Sequence, residues 1–472
     1  MDMQKKISSL RVAPLKMAIP VFGVTSALIY AANWRHQPYE GTHVFLFKFM
    51  VISALYLISV YLVVKYRADT SRAKSLVLMI LLFGVLFRAV LVMDAPKLSS
   101  DIYRYVWDGR VQAQGINPYI HAPSDRALVP LRDKEVYPLI NRQDYPTIYP
   151  AGAQLFFFLS RVVGGSSVAG LKIILTFFDI LTMILLVELL NAYRLDRARV
   201  LIYAWNPLVV YEIAQSGHLE GLTVFLIVSA LYLHATGRRT SGVISLSLAA
   251  STKLFPALLL PAFLGRGERV KGLLVFTSCL TVLYLPFMSA GSRIAGFLPD
   301  YLNNPYESFN LGLKQLIMTF FPGVSYSFLS GIFLGILFAA GFFFFFKDKK
   351  ELQVPRYAYL LVSLMIIFAP ASLHPWYVVW LVPFLAFYPT AAWLIFSCAL
   401  SLSYLKYVQS EGMMPSWVLY LEYVPLYALL ITGYLIKTFR NRSMFSDETT
   451  GASMIKKTFD SSCREENLPD EV

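Results

Sequence analysis

The sequence predicts an all-α fold, a polytopic membrane bundle with helical outer loops. Three observations carry this. Hydrophobic residues make up 57% of the 472 and charged residues only 15%, against about 25% charged in soluble domains. Apolar runs of near-membrane length recur from residue 15 to residue 436, and mean hydropathy is +0.56. The basic residues gather in short stretches between those runs, the pattern that orients spans with their positive loops inside.

The runs cover 15–34, 43–64, 75–93, 168–190, 199–214, 218–236, 241–264, 271–288, 324–346, 357–372, 376–388, 391–408 and 417–436. In lipid each must be helical, because every backbone polar group needs an internal partner. Half-helices included, about 12–14 membrane helices are expected. Lys5, Lys6, Arg11 and Lys16 precede the first run, and no small-residue cleavage site follows it before Trp34, so it reads as a signal anchor. Further basic clusters lie at 65–74, 194–199, 238–239, 266–271, 347–356 and 437–442. All can be cytoplasmic if two segments do not cross fully. Residues 151–163 (AGAQLFFFLSRVV) then form an interfacial or re-entrant helix. Residues 241–264 leave and return as two half-helices meeting at Lys253, where Pro256 breaks the helix. Both termini are then cytoplasmic, and the polar segments 94–150, 289–323 and 409–416 lie outside. Residues 1–442 form one membrane domain, followed by a charged, aperiodic tail at 443–472 with a disordered composition.

The net charge of +13 is accounted for by loops facing anionic lipid, so membrane lipids rather than nucleic acid are the expected partner. Cys279, Cys398 and Cys463 show neither CxxC nor metal-ligand spacing, so neither a disulfide framework nor a thiolate metal site is expected. No glycine-rich dinucleotide fingerprint is present either.

The chemistry is expected in the first outer loop. Residues 99–119 read SSDIYRYVWDGRVQAQGINPY. Asp101, Tyr105 and Asp108 share one helical face, with Arg104 on it as well. Ser99 or Ser100 can cap this helix, and Gly115 with Asn117-Pro118 stops it. Trp107 and the tyrosines suit an interfacial helix. Read blandly, this is an amphipathic helix with a structural Asp–Arg pair. Read functionally, Asp101 follows the third span directly, and a carboxylate at that depth can act as a general base. Downstream, Tyr149 belongs to YPTIYPAGAQ, whose two prolines and glycine set the next helix rigidly. Glu212, His218 and Glu220 lie near the outer ends of two runs, where ionisable residues are functional candidates; the bland reading pairs Glu212 with His218. Lys253, in an apolar stretch, needs an anion, either a lipid phosphate or a carboxylate. His374, in HPWYVVW, can bind phosphate or join an aromatic belt.

The ordered set DIYRYVWDGRVQAQGINPY, YPAGAQ, WNP, GHLE, TKLFP and HPWYVVWLVP resembles bacterial glycosyltransferases of the GT-C superfamily, and most closely its polyprenyl-phosphate-mannose-dependent mannosyltransferases. The similarity runs from about residue 75 to residue 390. It implies a GT-C-like fold in the bacterial inner membrane and inverting transfer of a sugar from a polyprenyl-phosphate donor to a glycolipid or glycan on the extracytoplasmic side. Asp101 matches the family's general base, with Asp108 as a second carboxylate. Lys253, His374, Arg104 and Arg110 are the expected phosphate ligands. Tyr103, Tyr105, Asn117, Tyr149, His218 and Glu220 are the expected substrate-positioning residues. The family often has two adjacent acidic residues where this chain has Ser100-Asp101, and an aspartate where it has Glu220. No cofactor is expected, and a divalent cation is left open. The 289–323 segment is a candidate lid. A transporter or flippase would also explain the spans and Lys253, but no internal repeat is present and the polar residues cluster on one side. The same scaffold with another sugar donor is the other alternative.

Overall fold

The structure, a computed structural model, describes residues 2–32, 41–66, 70–299, 309–347, 353–369, 371–408 and 414–436. Residues 300–308 of the candidate lid and the 443–472 tail lie outside the described residues. Every regular element among the described residues is helical. The longer helices are α1 (Asp2–Ala31), α2 (Thr42–Lys65), α3 (Thr70–Leu91), α4 (Asp101–Ala113), α5 (Ala151–Gly164), α6 (Val168–Ala192), α7 (Glu220–Ala235), α8 (Arg239–Thr252), α9 (Arg269–Tyr284), α10 (Tyr326–Phe346), α11 (Val354–Ile367), α12 (Ala391–Ala399) and α13 (Ser416–Ile436). Six stretches are long and apolar enough to cross a membrane: α2, the 74–91 part of α3, α6, α9 with its extension to Ala295, α10 and α13. The fold is that of a polytopic helical membrane protein.

Two expected spans are broken instead. Residues 199–214 form single turns at Leu201–Ala204 and Pro207–Val210, then a π-turn at Tyr211–Gln215. Pro207 supplies no N–H to the turn before it, and side chains take over the bonding. Trp205 Nε1 donates to Ile80 O at 2.9 Å. Asn206 accepts from Val209 N at 3.2 Å and donates to Tyr56 Oη and Ser397 Oγ, each at 3.1 Å. This segment is buried throughout and forms the hub of the bundle. Residues 376–388 likewise reduce to single turns at Pro375–Val378 and Val382–Leu385, each begun by proline.

A buried ion pair joins α3 to α6. Arg88 Nε donates to Asp179 Oδ2 at 2.6 Å, with both side chains fully buried. Arg88 Nη1 donates to Ala204 O at 2.8 Å and Tyr203 Oη to Asp179 Oδ1 at 2.6 Å, so the pair also grips the hub. Such a pair needs this satisfaction to offset the cost of desolvating both ions.

The 94–150 segment folds as α4 followed by turns and short 3₁₀ pieces that pack back on it. Ser100 occupies the N-cap of α4 without a side-chain cap bond, while Ser99 Oγ accepts from Asp101 N at 3.2 Å. Trp107 faces inward against Tyr137, their rings 5.5 Å apart, and is 1% exposed. It therefore does not anchor α4 at an interface as the sequence suggested, because the returning loop covers that face. The second outer segment docks on the first: Phe297 N donates to Thr147 O at 3.2 Å. Gly296, at φ +55, makes this approach possible, since a Cβ there would meet Thr147 O at 1.8 Å.

Candidate active site

α8 ends at Thr252, and Lys253 is extended (φ −143, ψ 140). A 3₁₀ turn at Phe255–Leu259, begun by Pro256, and one α-turn at Leu260–Phe263 follow. The break expected at Lys253 is present, although its second arm is mostly 3₁₀. It places Lys253 on the wall of a cavity of about 500 Å³, which Asp101, Arg104, Asn141, Arg142, Tyr149, His374 and Tyr377 also line. Apolar and aromatic side chains complete it, among them Leu254, Phe255, Met365 and Trp380. The cavity thus sets a polar end that carries cationic side chains beside an apolar wall.

Asp101, at the first position of α4, accepts from Asn141 Nδ2 at 2.7 Å through Oδ1. Its Oδ2 is 3.9 Å from His218 Nδ1. His218 Nε2 is 3.4 Å from Glu212 Oε2 and its Nδ1 is 4.0 Å from Glu220 Oε2. Glu220 Oε1 is 3.3 Å from Lys253 Nζ. A continuous set of ionisable groups thus runs from Asp101 to Lys253. Glu212 also accepts from Tyr404 Oη. The π-turn presents Glu212, and His218 N closes it on Glu212 O at 3.0 Å; such turns are frequent at functional sites. Lys253 Nζ lies between two aromatic rings, 5.3 Å from Tyr149 and 5.7 Å from Tyr377. Both ring nitrogens of His218, both carboxylate oxygens of Glu220 and His374 Nδ1 are buried without a hydrogen-bond partner among the described residues. Of these three residues, His374 lines the cavity, whereas His218 and Glu220 are fully buried behind its wall and meet charged neighbours.

The other candidates lie off the cavity. Asp108 is 1% exposed and takes three donors: Arg104 Nε at 2.8 Å, Thr147 Oγ1 at 2.6 Å and Gln154 Nε2 at 2.9 Å. It is a strut that fixes Arg104, not a second carboxylate facing substrate. Arg110 turns away to Asp133 at 2.7 Å and Leu131 O at 3.0 Å, so it cannot hold a phosphate in this cavity. Burial would raise the Asp133 carboxyl, but N–H groups of Val136 and Tyr137 and the Arg110 guanidinium hold it below the ordinary carboxylate range. Tyr105 is buried, its ring stacked on Phe157 at 4.7 Å. Tyr103 is partly buried and does not line the cavity. Asn117 braces the two outer segments, donating to Phe287 O at 3.1 Å and Ser289 Oγ at 2.9 Å. Sequence reasoning missed Asn141, Arg142 and the Trp376 ring. Asn141 and Arg142 lie in an aperiodic loop, where spacing carries no signal.

Fold and site together define a polytopic helical membrane protein with an acid–cation cavity that combines polar and apolar walls. Residues 7–266, more than half the chain, match the model of the MptA_B family, described as alpha-(1->6)-mannopyranosyltransferase, N-terminal domain, and the chain belongs to that family. It is similar to alpha-(1->6)-mannopyranosyltransferase A of Mycobacterium tuberculosis (strain ATCC 25618 / H37Rv), with 24% identity over 329 residues, 63% of this chain and 62% of the relative. The chain therefore spans about three-fifths of the length of that relative. No solved structure matches.

Proposed function

We propose that this chain is an inverting mannosyltransferase that moves mannose from a polyprenyl-phosphate donor to a hydroxyl of a glycan or glycolipid acceptor at the extracytoplasmic face of a bacterial inner membrane. The observation that carries the reading is the single cavity lined by Asp101, Arg104, Lys253 and His374. Membership of a mannopyranosyltransferase family supports the sugar and the reaction class. The positive-inside pattern supports the side of the membrane.

In this mechanism Asp101 Oδ2 removes the acceptor hydroxyl proton, since Oδ1 is held by Asn141. The acceptor oxygen attacks the anomeric carbon from the face opposite the phosphate. The bond from that carbon to the phosphate oxygen breaks, and its electron pair leaves on polyprenyl phosphate. Lys253 and Arg104 stabilise the charge developing there, with His374 as a further hydrogen-bond donor. Glu220 holds Lys253 in place through their ion pair. The lipid chain lies along Leu254, Phe255, Met365 and Trp380.

The test is transfer of radiolabelled mannose from polyprenyl-phosphate mannose to a mannoside by purified protein in lipid nanodiscs. Asp101→Asn is expected to lower the rate by about 10²–10⁴-fold, with unchanged elution as a folded species. Full activity of that variant would overturn the base assignment. Movement of intact donor across vesicles without transfer would favour a flippase.

A further inference from the structure

Glu422 and Asn310 lie outside the residues that match the family model. Both are 1% exposed, and neither side chain lines the cavity. Glu422 is an ionisable residue within α13, and such a residue in a span needs partners. It has them: Asn310 Nδ2 donates to Oε2 at 2.8 Å and Ser403 Oγ to Oε1 at 2.7 Å. Asn310 Nδ2 also donates to Ser403 Oγ at 2.8 Å, and its Oδ1 accepts from Tyr423 Oη at 3.0 Å and Gly312 N at 2.9 Å. The end of the second outer segment is thereby clamped to α13 and to the 3₁₀ stretch Leu400–Val408.

The clamp reaches the cavity in two ways. Through the backbone, Asn310 O accepts from Leu373 N at 2.7 Å, next to His374, and Phe309 N donates to Ser372 Oγ at 3.0 Å. Through side chains, Phe309 stacks on His374 (4.8 Å, 27°), His374 on Trp376 (4.3 Å, 10°), and Trp376 on His218 (4.1 Å, 23°). Phe309, His374, Trp376 and His218 thus form a column of four rings in successive stacked contact, whose far end is 3.9 Å from Asp101. Neither imidazole is oriented by a hydrogen bond at His218 Nδ1, His218 Nε2 or His374 Nδ1. Stacking on Trp376 therefore acts on both planes, beside the carboxylate contacts of His218.

We propose that Glu422 and Asn310 are positioning residues, which set the orientation of His374 and His218 through this ring column. The proposal rests on the transfer reading above for its kinetic consequence, although the clamp itself does not depend on it. Glu422→Leu removes the clamp at similar volume. Glu422→Gln is the conservative control, because the Ser403 hydroxyl can turn to accept from the new amide. Phe309→Leu keeps an apolar side chain and removes the first ring.

Each variant would be assayed in nanodiscs with polyprenyl-phosphate mannose. Glu422→Leu and Phe309→Leu are expected to lower kcat about tenfold or more with donor KM within about twofold, and Glu422→Gln to stay near wild type. Amide exchange at 371–376 is expected to speed up about tenfold or more in Glu422→Leu, without added substrate. Unchanged kcat in Phe309→Leu overturns the ring path, whether or not Glu422→Leu folds. Unchanged exchange in a folded Glu422→Leu overturns the clamp. If wild-type protein transfers no mannose, the transfer reading fails, while the exchange result still decides the clamp.

Discussion

Asp101 and Asp108 stand on the same helix and are separated in role by their partners. Asp108 is enclosed by three donors, whereas Asp101 keeps one oxygen facing the cavity. Asp108→Ala should therefore act on stability, because it strips a buried charge partner from Arg104 and removes the buried acceptor that Thr147 Oγ1 and Gln154 Nε2 share. A loss of about 3–5 kcal/mol is expected, visible as a lowered thermal midpoint, while Asp101→Asn should leave the midpoint almost unchanged. Equal midpoints for the two variants would refute the distinction. Helical spacing in the sequence put both carboxylates on one face, and that was legible. Their partners were not, because Thr147, Asn141 and Gln154 come from 39, 40 and 46 residues away in sequence. A period reports which face a residue occupies, not what a returning loop brings to it. Arg110 shows the same limit: its charge suggested a phosphate, and Asp133 took it instead.

At the scale of elements, breaks inside apolar stretches carry the site. The break at Lys253 was legible because Pro256 and a lone lysine interrupt an otherwise apolar run. The breaks within 199–214 and 376–388 were not, since hydropathy averages over a proline and cannot show that Trp205 and Asn206 replace the lost backbone bonds. The contact between the outer segments was also invisible in sequence, because it depends on a glycine meeting a carbonyl from another loop. Gly296→Ala tests that contact. The added methyl would sit against Thr147 O in a backbone conformation that disfavours side chains, so the second segment should lift from the first. Limited proteolysis should then cut at Phe297–Leu298 several-fold faster than in wild type. An unchanged cleavage rate would show that the contact is dispensable.

For the whole molecule, the sequence made plain a polytopic helical bundle, because lipid leaves the backbone few choices. It did not reveal the broken 201–215 hub, to which Arg88 is tied through Ala204 and Asp179 through Tyr203. The short helices have a consequence of another kind. α5 and α8 have 14 residues each and α7 has 16, and α8 packs against both of the others. At about 1.5 Å per residue they reach about 21–24 Å, well short of a hydrocarbon core of about 30 Å. As full spans these three would be mismatched to such a core and would draw the two leaflets together beside them, and Lys253 stands at the end of one of them. Short-chain phospholipid should match the trio and long-chain phospholipid should strain it. Transfer rates measured in vesicles of increasing acyl length should fall once the bilayer outgrows these helices, and a flat series would show that the protein does not sense membrane thickness.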